Sequence, residues 1–336
     1  MTEMKMKTAV VGAGSWGTAL ATVLAKGGHD PILWSRSAEL AEEINTQHTT
    51  SYLPNVSLPE NLKATSCLED LSDAEVILIV TPSKAIAEVA GKLAAVGVRN
   101  DAVLLSCTKG IELATGRRMT QILEDTFPDQ AIGTLSGPNH AEEVTRGLPT
   151  ATTIAAGDEE TARRLQGLFT LPWFRSYTTT DVAGVELGGA IKNVFAIAGG
   201  IVEGMKLGDN AKAALVTRGL AELTRLGVAL GGKPETFQGL SGVGDLVVTC
   251  YSELSRNHRV GRGLGQGQTL DEVVASMGHM VAEGVPNTRS IHDAARRLEV
   301  PTPIIDQVYA VLYEQKDPAA ALADLFTRDP KPETES

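Results

Sequence analysis

Short apolar runs alternate with longer stretches of helical periodicity through the first half of the chain. The runs predict buried strands at residues 8–11, 31–34, 75–80, 102–106, 131–135 and 152–155, separated by helices such as 18–26, 83–94 and 117–126. Near-continuous apolar strands that alternate with helices are typical of a parallel sheet covered on both faces. The first half is therefore predicted to be a doubly wound α/β domain with a mostly parallel sheet.

The pattern changes near residue 180, and helical periodicity dominates from there onward. Apolar spacing predicts helices at 181–205, 210–230, 270–277, 287–298 and 303–314, and strand candidates are nearly absent. Three threonines followed by Asp181 make a favourable helix start at this boundary. We therefore predict a sheet domain over residues 1–180, an all-α domain over 181–328, and a flexible polar tail over 329–336.

Composition and charge exclude several classes of function. The 336 residues suffice for two domains. A net charge of −11 and a pI near 5.1 argue against nucleic acid or an anionic membrane as partner. The scattered histidines show no zinc-site spacing, so no metal is expected.

The cellular location is predicted from cysteines and apolar runs. Cys67, Cys107 and Cys250 are widely spaced and odd in number, which fits a reducing compartment better than a disulfide framework. The first apolar run is too short for a signal peptide, and no run reaches the ~18–20 uninterrupted apolar residues of a membrane span. We expect a soluble, cytoplasmic protein.

A glycine motif follows the first predicted strand. Gly12, Gly14 and Gly17 occupy the GxGxxG positions between that strand and the first helix. The first glycine permits the tight turn, the second lets the backbone approach a pyrophosphate, and the third allows close helix–strand packing. The free N–H groups of the helix N-terminus favour an anion. A purely structural glycine turn is the alternative, but the flanking strand, helix and second strand favour a Rossmann-type dinucleotide site.

The end of the second strand indicates which dinucleotide fits. NAD sites tend to carry an acid there for the ribose hydroxyls, whereas NADP sites place an arginine for the 2′-phosphate. Here the strand leads into Ser35, Arg36 and Ser37, without an acid. We therefore expect NADP(H), NAD(H) or both as cofactor, with Arg36 as the 2′-phosphate contact unless it is simply a solvated surface residue.

Four further motifs narrow the choice among dehydrogenases. They are SCTKGIE at 106–112, SGPNHA at 136–141, ELGGAIKN at 186–193, and LSGVGDL at 240–246 followed by SRN at 255–257. In this order the set resembles the bacterial-type NAD(P)-dependent glycerol-3-phosphate dehydrogenases, over about residues 7–316. The resemblance implies hydride transfer between a nicotinamide and carbon 2 of the substrate, in a cleft between the two domains. It also implies a role in supplying glycerol 3-phosphate for glycerophospholipid synthesis and, by analogy, a homodimer.

Lys192 is the candidate acid/base. It lies in an apolar helical run, where an unpaired ammonium would be costly, and a desolvated amine releases its proton more readily. Three of its four neighbours one helical turn away are small, which we interpret as room for a ligand. The resemblance implies the same catalytic role and contact with the substrate, and a lysine that reaches solvent is the alternative.

The remaining substrate contacts come partly from chemistry and partly from the resemblance. Ser255, Arg256 and Asn257 offer a hydroxyl, a guanidinium and an amide at a predicted helix start, a set suited to a phosphate dianion. The resemblance implies substrate contacts from four more positions, namely Lys109, Gly137, Asn139 and Asp245. It also implies that Asp245 accompanies the catalytic lysine. The family more often has Ser or Thr at the position of Asn139, which makes Gly137 the safer assignment. Asp245 follows two glycines and is placed in a turn, where it could instead cap a helix.

The cofactor contacts extend beyond the glycine motif. Besides Gly12, Gly14, Gly17 and Arg36, the assignments that accompany the resemblance are Ser15, Trp16, Lys109, Ala141, Arg256, Val281 and Glu283. Two alternatives remain open at this point. One is a dehydrogenase of similar build that acts on a hydroxy acid or hydroxyacyl thioester, and the other is a dinucleotide sensor without catalysis.

Overall fold

The computed structural model describes residues 5–112, 115–277, 282–330 and 332–333. The chain divides into two compact units, Met1–Lys109 with Arg117–Val182, and Gly110–Gly116 with Ala183–Ser336. The division falls two residues beyond the predicted boundary at 180. The short segment Gly110–Gly116 belongs to the second unit, because buried Ile111 packs in the same apolar core as Ile191 and Ile291.

The first unit is built on one eight-stranded sheet. The strands are β1 (Lys7–Val11), β2 (Asp30–Trp34), β3 (Lys63–Thr65), β4 (Val76–Ile79), β5 (Val103–Ser106), β6 (Ala131–Ser136), β7 (Thr150–Ala156) and β8 (Phe174–Thr179). Their order across the sheet is β3-β2-β1-β4-β5-β6-β7-β8. Strands β1 to β6 are parallel, β7 runs antiparallel to β6, and β8 is parallel to β7. The predicted mostly parallel sheet is confirmed.

Helices cover both faces of this sheet. They are α1 (Ser15–Lys26), α2 (Ala38–Gln47), α3 (Ile86–Val96), α4 (Met119–Thr126), α5 (Ala141–Arg146) and α6 (Glu159–Leu168). Successive strand residues point to opposite faces, so Val10 packs in one apolar core and its neighbours Ala9 and Val11 in another. Both faces of the sheet are buried from solvent, which explains why apolar and polar residues do not alternate along these strands.

The described part of the second unit is helical. Its helices are α7 (Val182–Gly204), α8 (Asp209–Ala229), α9 (Pro234–Phe237), α10 (Asp245–Tyr251), α11 (Arg256–Gly265), α12 (Leu270–Ser276), α13 (Gly284–Arg297), α14 (Pro303–Tyr313) and α15 (Pro318–Phe326). A single π-helical turn at Leu240–Gly244 leads directly into α10. Asp245 is therefore the first residue of a helix, and its predicted placement in a turn is wrong.

Helix α7 forms the core of the second unit. In length and composition it is the one described helix that could cross a membrane, but 94% of its most apolar window is buried within the protein. Its glycines let other segments touch its backbone. A Cβ at Gly188 would lie 2.5 Å from the carbonyl oxygen of Ser241, and one at Gly200 would lie 2.0 Å from that of His258. The segments that carry α10 and α11 therefore pack directly on the backbone of α7.

Candidate active site

The glycine motif forms a tight turn between β1 and α1. Gly12 has φ +121°, and a Cβ there would lie 2.5 Å from the carbonyl oxygen of Val80, so only glycine fits. A Cβ at Gly17 would lie 1.8 Å from the carbonyl oxygen of Gly12. Around Gly14, in contrast, a Cβ would meet nothing within 4 Å, so the space beside its backbone is open.

The N-terminus of α1 is not capped by a side chain of the described residues. Gly14 is the N-cap and provides no side-chain hydrogen bond, and the first turn contains no acidic residue. The exposed N–H groups and the positive end of the helix dipole are therefore directed at the open space beside Gly14. This arrangement fits the pyrophosphate of a dinucleotide.

Ser15 and Trp16, the other predicted cofactor residues of this turn, begin α1. The hydroxyl of Ser15 donates to the carbonyl oxygen of Tyr52 at 2.9 Å. Trp16 is half-buried, and its indole N–H finds no acceptor among the residues that the structure describes.

Arg36 lies beyond the end of β2, in a turn fixed by its neighbours. The N–H of Ser37 donates to the hydroxyl of Ser35 at 3.1 Å, and the hydroxyl of Ser37 accepts the N–H of Leu40 at the start of α2. The Arg36 side chain is exposed and makes neither a hydrogen bond nor an ion pair with any described residue. Its guanidinium is thus available to an anionic ligand.

Two predicted substrate residues of the first unit contact each other. The Nζ atom of Lys109, just beyond β5, donates to the carbonyl oxygen of Gly137, just beyond β6, at 3.0 Å. Both lie at the carboxyl ends of adjacent parallel strands, where open α/β sheets bind ligands.

Asn139 is also near this edge, but its amide is turned toward the protein. Its Nδ2 donates to the hydroxyl of Thr152 at 3.1 Å, while its buried Oδ1 has no hydrogen-bond partner in the described part of the chain. One donor that we assigned to the substrate is thus used internally. Ala141, assigned to the cofactor, is the buried first residue of α5.

Lys192 and Asp245 form a buried ion pair in the second unit. The Nζ atom of Lys192 lies 2.9 Å from Oδ1 of Asp245, and the two side chains are 7% and 2% exposed. The same Nζ donates to the hydroxyl of Thr249 at 2.6 Å, and that hydroxyl donates to the backbone carbonyl oxygen of Asp245 at 2.5 Å. The nearby carboxylate favours the charged form of the amine.

This geometry corrects one argument made from the sequence. The space beside Gly188, which we interpreted as room for a ligand, is filled by the backbone of Ser241. Thr249 was missed. Its position four residues after Asp245 places both side chains on one face of α10, but only a predicted helix over this segment could have revealed that spacing.

Asn193, the residue after Lys192, is connected through the amide of Asn257 to the starts of α11 and α13. The Nδ2 atom of Asn257 donates to Oδ1 of Asn193 at 2.8 Å, and Oδ1 of Asn257 accepts the backbone N–H of Gly284 at 2.9 Å. A primary amide has two N–H donors, and within the described ranges only one N–H of Asn257 is used, which leaves the other for a ligand. Glu283 precedes α13 immediately before Gly284, whereas Val281 lies outside the described residues.

Ser255 and Arg256 lie at the N-terminus of α11, where the sequence analysis predicted a helix start. Ser255 is the N-cap, and its hydroxyl oxygen accepts the N–H of His258 at 3.2 Å. Arg256 is exposed and has neither a hydrogen bond nor an ion pair with the described residues. A free guanidinium at a helix N-terminus is suited to a phosphate.

Cys250, on the same helix as Asp245 and Thr249, is not an activated thiol. Burial raises the pKa of Cys250 to about 12, so its side chain is a neutral thiol at physiological pH. Within the described ranges, no group of three or more His, Cys, Asp and Glu side chains could hold a metal ion.

Comparisons with known proteins agree on one family. Residues 7–162 match the model of the NAD-dependent glycerol-3-phosphate dehydrogenase N-terminus, and residues 181–323 match that of the C-terminus. A glycerol-3-phosphate dehydrogenase [NAD(P)+] from Lysinibacillus sphaericus is 49% identical over 332 residues, which cover 97% of this chain and 98% of the relative.

Solved structures give the same result. Glycerol-3-phosphate dehydrogenase from Coxiella burnetii is 40% identical, has a TM-score of 0.91, and is matched over 96% of this chain and 99% of its own. The enzyme from Saccharomyces cerevisiae is 28% identical, with a TM-score of 0.84 over 97% of this chain and 100% of its own. The chain therefore belongs to the NAD-dependent glycerol-3-phosphate dehydrogenase family.

Proposed function

We propose that this chain is an NAD(P)-dependent dehydrogenase that interconverts dihydroxyacetone phosphate and sn-glycerol 3-phosphate. The observation that carries the proposal is the buried Lys192–Asp245–Thr249 cluster. It places an ammonium on α7, the helix against which α11 packs with its candidate phosphate-binding residues. Membership of the family, and the names of relatives 49% identical over nearly the whole chain, support it.

The first unit supplies the dinucleotide site in this proposal. Gly12, Gly14 and Gly17 shape the turn, and the N–H groups of α1 hold the pyrophosphate. Arg36 binds the 2′-phosphate of NADP(H), for which its unpaired guanidinium is suited. We assign Lys109, at the carboxyl edge of the sheet, to both substrate and cofactor, and its neighbour Gly137 to the substrate. Asn139 is assigned to the substrate less directly, because its amide donates to Thr152.

The second unit supplies the substrate's phosphate site. Arg256 provides the positive charge, the hydroxyl of Ser255 can donate because its oxygen serves as the helix cap acceptor, and Asn257 offers its remaining amide N–H. In an otherwise acidic chain these donors create a local preference for a dianion.

Lys192 is the acid/base that transfers a proton to or from the oxygen on carbon 2. When bound, the reduced nicotinamide supplies a hydride to carbon 2 of dihydroxyacetone phosphate. The Lys192 ammonium gives its proton to the oxygen on carbon 2, so that the carbonyl becomes a secondary alcohol and the amine is left neutral. In the opposite direction the neutral amine takes the hydroxyl proton. Asp245 and Thr249 orient the amine, and Asp245 compensates its charge.

The wider biological assignments follow from this activity. We propose a cytoplasmic enzyme that supplies glycerol 3-phosphate to glycerophospholipid synthesis. A homodimer, the assembly expected from the family resemblance, belongs to the same proposal. The sedimentation velocity of the purified protein would test this assembly directly.

A spectrophotometric assay at 340 nm tests the central proposal. Purified protein with NADPH or NADH should oxidise the cofactor when dihydroxyacetone phosphate is added, and Lys192→Ala serves as the inactive control. Turnover of a 2-keto acid or a ketoacyl thioester in place of dihydroxyacetone phosphate would identify a different dehydrogenase. Cofactor binding without any turnover would identify a sensor.

A further inference from the structure

Three basic side chains converge on Glu203, which lies in the last turn of α7. The Nζ atom of Lys212, in the first turn of α8, donates to Oε2 of Glu203 at 2.6 Å. The Nε2 atom of His258 on α11 lies 3.3 Å from the same oxygen, and Nη1 of Arg262 lies 3.9 Å from Oε1. One carboxylate thus connects three helices of the second unit.

Two members of the cluster are shielded from water, whereas the side chain of Arg262 is 41% exposed. Lys212 is 8% exposed and His258 is fully buried, while Glu203 retains 31% side-chain exposure. Lys212 lowers the pKa of Glu203 through its hydrogen bond, and burial lowers the pKa of His258. The carboxylate is therefore charged and the imidazole neutral at physiological pH, and Glu203 compensates a buried ammonium that would otherwise be costly.

His258 links this cluster to the proposed phosphate site. It lies in the first turn of α11, directly after Asn257, and its backbone N–H donates to the hydroxyl of Ser255. Its carbonyl oxygen approaches so closely to Gly200 of α7 that a Cβ there would lie 2.0 Å away. The backbone of this turn is thus held by the helix cap and by α7. Its imidazole is fully buried and lies 3.3 Å from Glu203, but neither ring nitrogen makes a hydrogen bond with a described residue.

We propose that Glu203 is a positioning residue for the substrate's phosphate. Its carboxylate binds Lys212 of α8 and lies against two residues of α11, the buried ring of His258 and the guanidinium of Arg262, and so sets where Ser255, Arg256 and Asn257 present their donors. Glu203 itself does not touch the substrate. The inference rests on the proposed function of the α11 donors, and it adds a residue with no direct part in binding or proton transfer.

Glu203→Gln tests this role against a matched control. Glu253→Gln removes another carboxylate that contacts Arg262, at 3.3 Å, but that makes no hydrogen bond or ion pair with the described Lys212 or His258 and is 79% exposed. A displaced binding group far from the reacting atoms can cost up to about 100-fold. We expect Glu203→Gln to lose about 10- to 100-fold in kcat/KM for dihydroxyacetone phosphate, mainly through KM. Its kcat/KM for unphosphorylated dihydroxyacetone and its Kd for NADPH should stay within about 3-fold of wild type, and Glu253→Gln should match wild type throughout.

A double variant separates positioning from stability. Glu203→Gln leaves the Lys212 ammonium buried without a carboxylate, so its Tm should fall; adding Lys212→Met removes that charge and should restore much of the loss. The restored double variant should still be defective only with the phosphorylated substrate. Normal KM in the double variant, or equal losses on both substrates, would overturn the positioning role. Wild type that does not prefer dihydroxyacetone phosphate to dihydroxyacetone would instead refute the proposed function, and the inference with it.

Discussion

The Nζ atom of Lys192 lies 2.9 Å from Oδ1 of Asp245, and both side chains are nearly inaccessible to water. Lys192 comes from the middle of α7 and Asp245 from the first turn of α10, so the contact joins two helices as well as two charges. Each charge makes the burial of the other tolerable, and removal of either one leaves an uncompensated charge in a dry site.

Lys192→Ala should lower kcat by about 10²–10⁴, the usual contribution of a positioned acid or base. NADPH should still bind, because the glycine turn and Arg36 belong to the other unit. Steady-state kinetics should be paired with a fluorescence titration of NADPH and a thermal melt. Near-normal turnover in the folded variant would move the proton transfer to another group.

Asp245→Asn should destabilise the protein by about 3–5 kcal/mol, because it keeps the shape of the side chain but removes the carboxylate that lies 2.9 Å from the buried Lys192 amine. Urea denaturation followed by circular dichroism measures this loss. The double variant Lys192→Met with Asp245→Leu contains no buried charge at this place and should be more stable than Asp245→Asn alone. Additive losses in the double variant would show that the two side chains do not interact as an ion pair.

Arg256→Ala should cost about 10- to 150-fold in kcat/KM for dihydroxyacetone phosphate, since a hydrogen bond to a charged group contributes roughly 1.5–3 kcal/mol. Unphosphorylated dihydroxyacetone at saturating NADPH should show no such loss, because it lacks the group that Arg256 binds. Arg259→Ala, one turn further along α11, is the matched control. Equal losses on both substrates would assign Arg256 to the cofactor or the fold, and would direct the search for the phosphate site to Lys109.

Arg36→Asp should weaken NADPH far more than NADH. The exposed guanidinium of Arg36 is replaced by a carboxylate that repels the 2′-phosphate, whereas NADH has no phosphate there. Dissociation constants for both cofactors, measured by fluorescence titration, give the comparison within one variant. A matched loss for the two would mean that Arg36 does not bind the 2′-phosphate.

Glu222 makes the stability of the second unit dependent on pH. Its buried carboxyl on α8 accepts the backbone N–H groups of Ile304 and Ile305, at 3.0 and 2.9 Å, at the start of α14. Burial raises the pKa of Glu222 to about 7, although these N–H donors and Arg225 act to lower it, and Asp306 raises it further. Because the folded protein holds this proton more tightly than the unfolded chain, the resulting stabilisation is complete below about pH 4.5 and is lost as pH rises through about 7.

Glu222→Gln provides the measurement for this prediction. The free energy of unfolding of wild type minus that of the variant, from urea denaturation between pH 5 and pH 8, should shrink as pH rises. A difference that instead grows with pH would show that the two backbone donors outweigh burial, and that the ionised carboxylate is the form that caps α14.

The sheet was largely predictable because its strands are buried on both faces. Runs such as Val76–Ile79 carry only apolar side chains, which leaves little doubt about their structure. Strands β3 and β8 were missed for opposite reasons. Lys63–Thr65 has only three residues at the edge of the sheet, and Phe174–Thr179 alternates buried with exposed side chains, as an edge strand that faces water does.

The helices of the second unit were harder to predict, because glycines interrupt the apolar periodicity at places where two helix backbones pack closely. Helix α11 contains Gly261, Gly263 and Gly265, so its apolar spacing gave no clear signal beyond the start at Ser255 and Arg256. The site residues of this unit were recognised by motif, but their mutual contacts depend on long-range packing. No spacing in the sequence places Asn257 between Asn193 and Gly284, or gives Lys192 its carboxylate partner.

The glycines of α7 limit how this protein can be made more thermostable. Replacing a mid-helix glycine with alanine usually gains up to about 1 kcal/mol from helix propensity, and it is a common choice in engineering. A methyl group added at Gly188 would collide with the carbonyl oxygen of Ser241, in the segment that leads to Asp245. One added at Gly200 would collide with the carbonyl oxygen of His258, the residue after Asn257. Such a substitution would push the Lys192–Asp245 ion pair or the proposed phosphate donors out of place. Consensus-guided stabilisation of this helix should therefore leave those two positions unchanged and seek its gains on the exposed faces of α8 and α13.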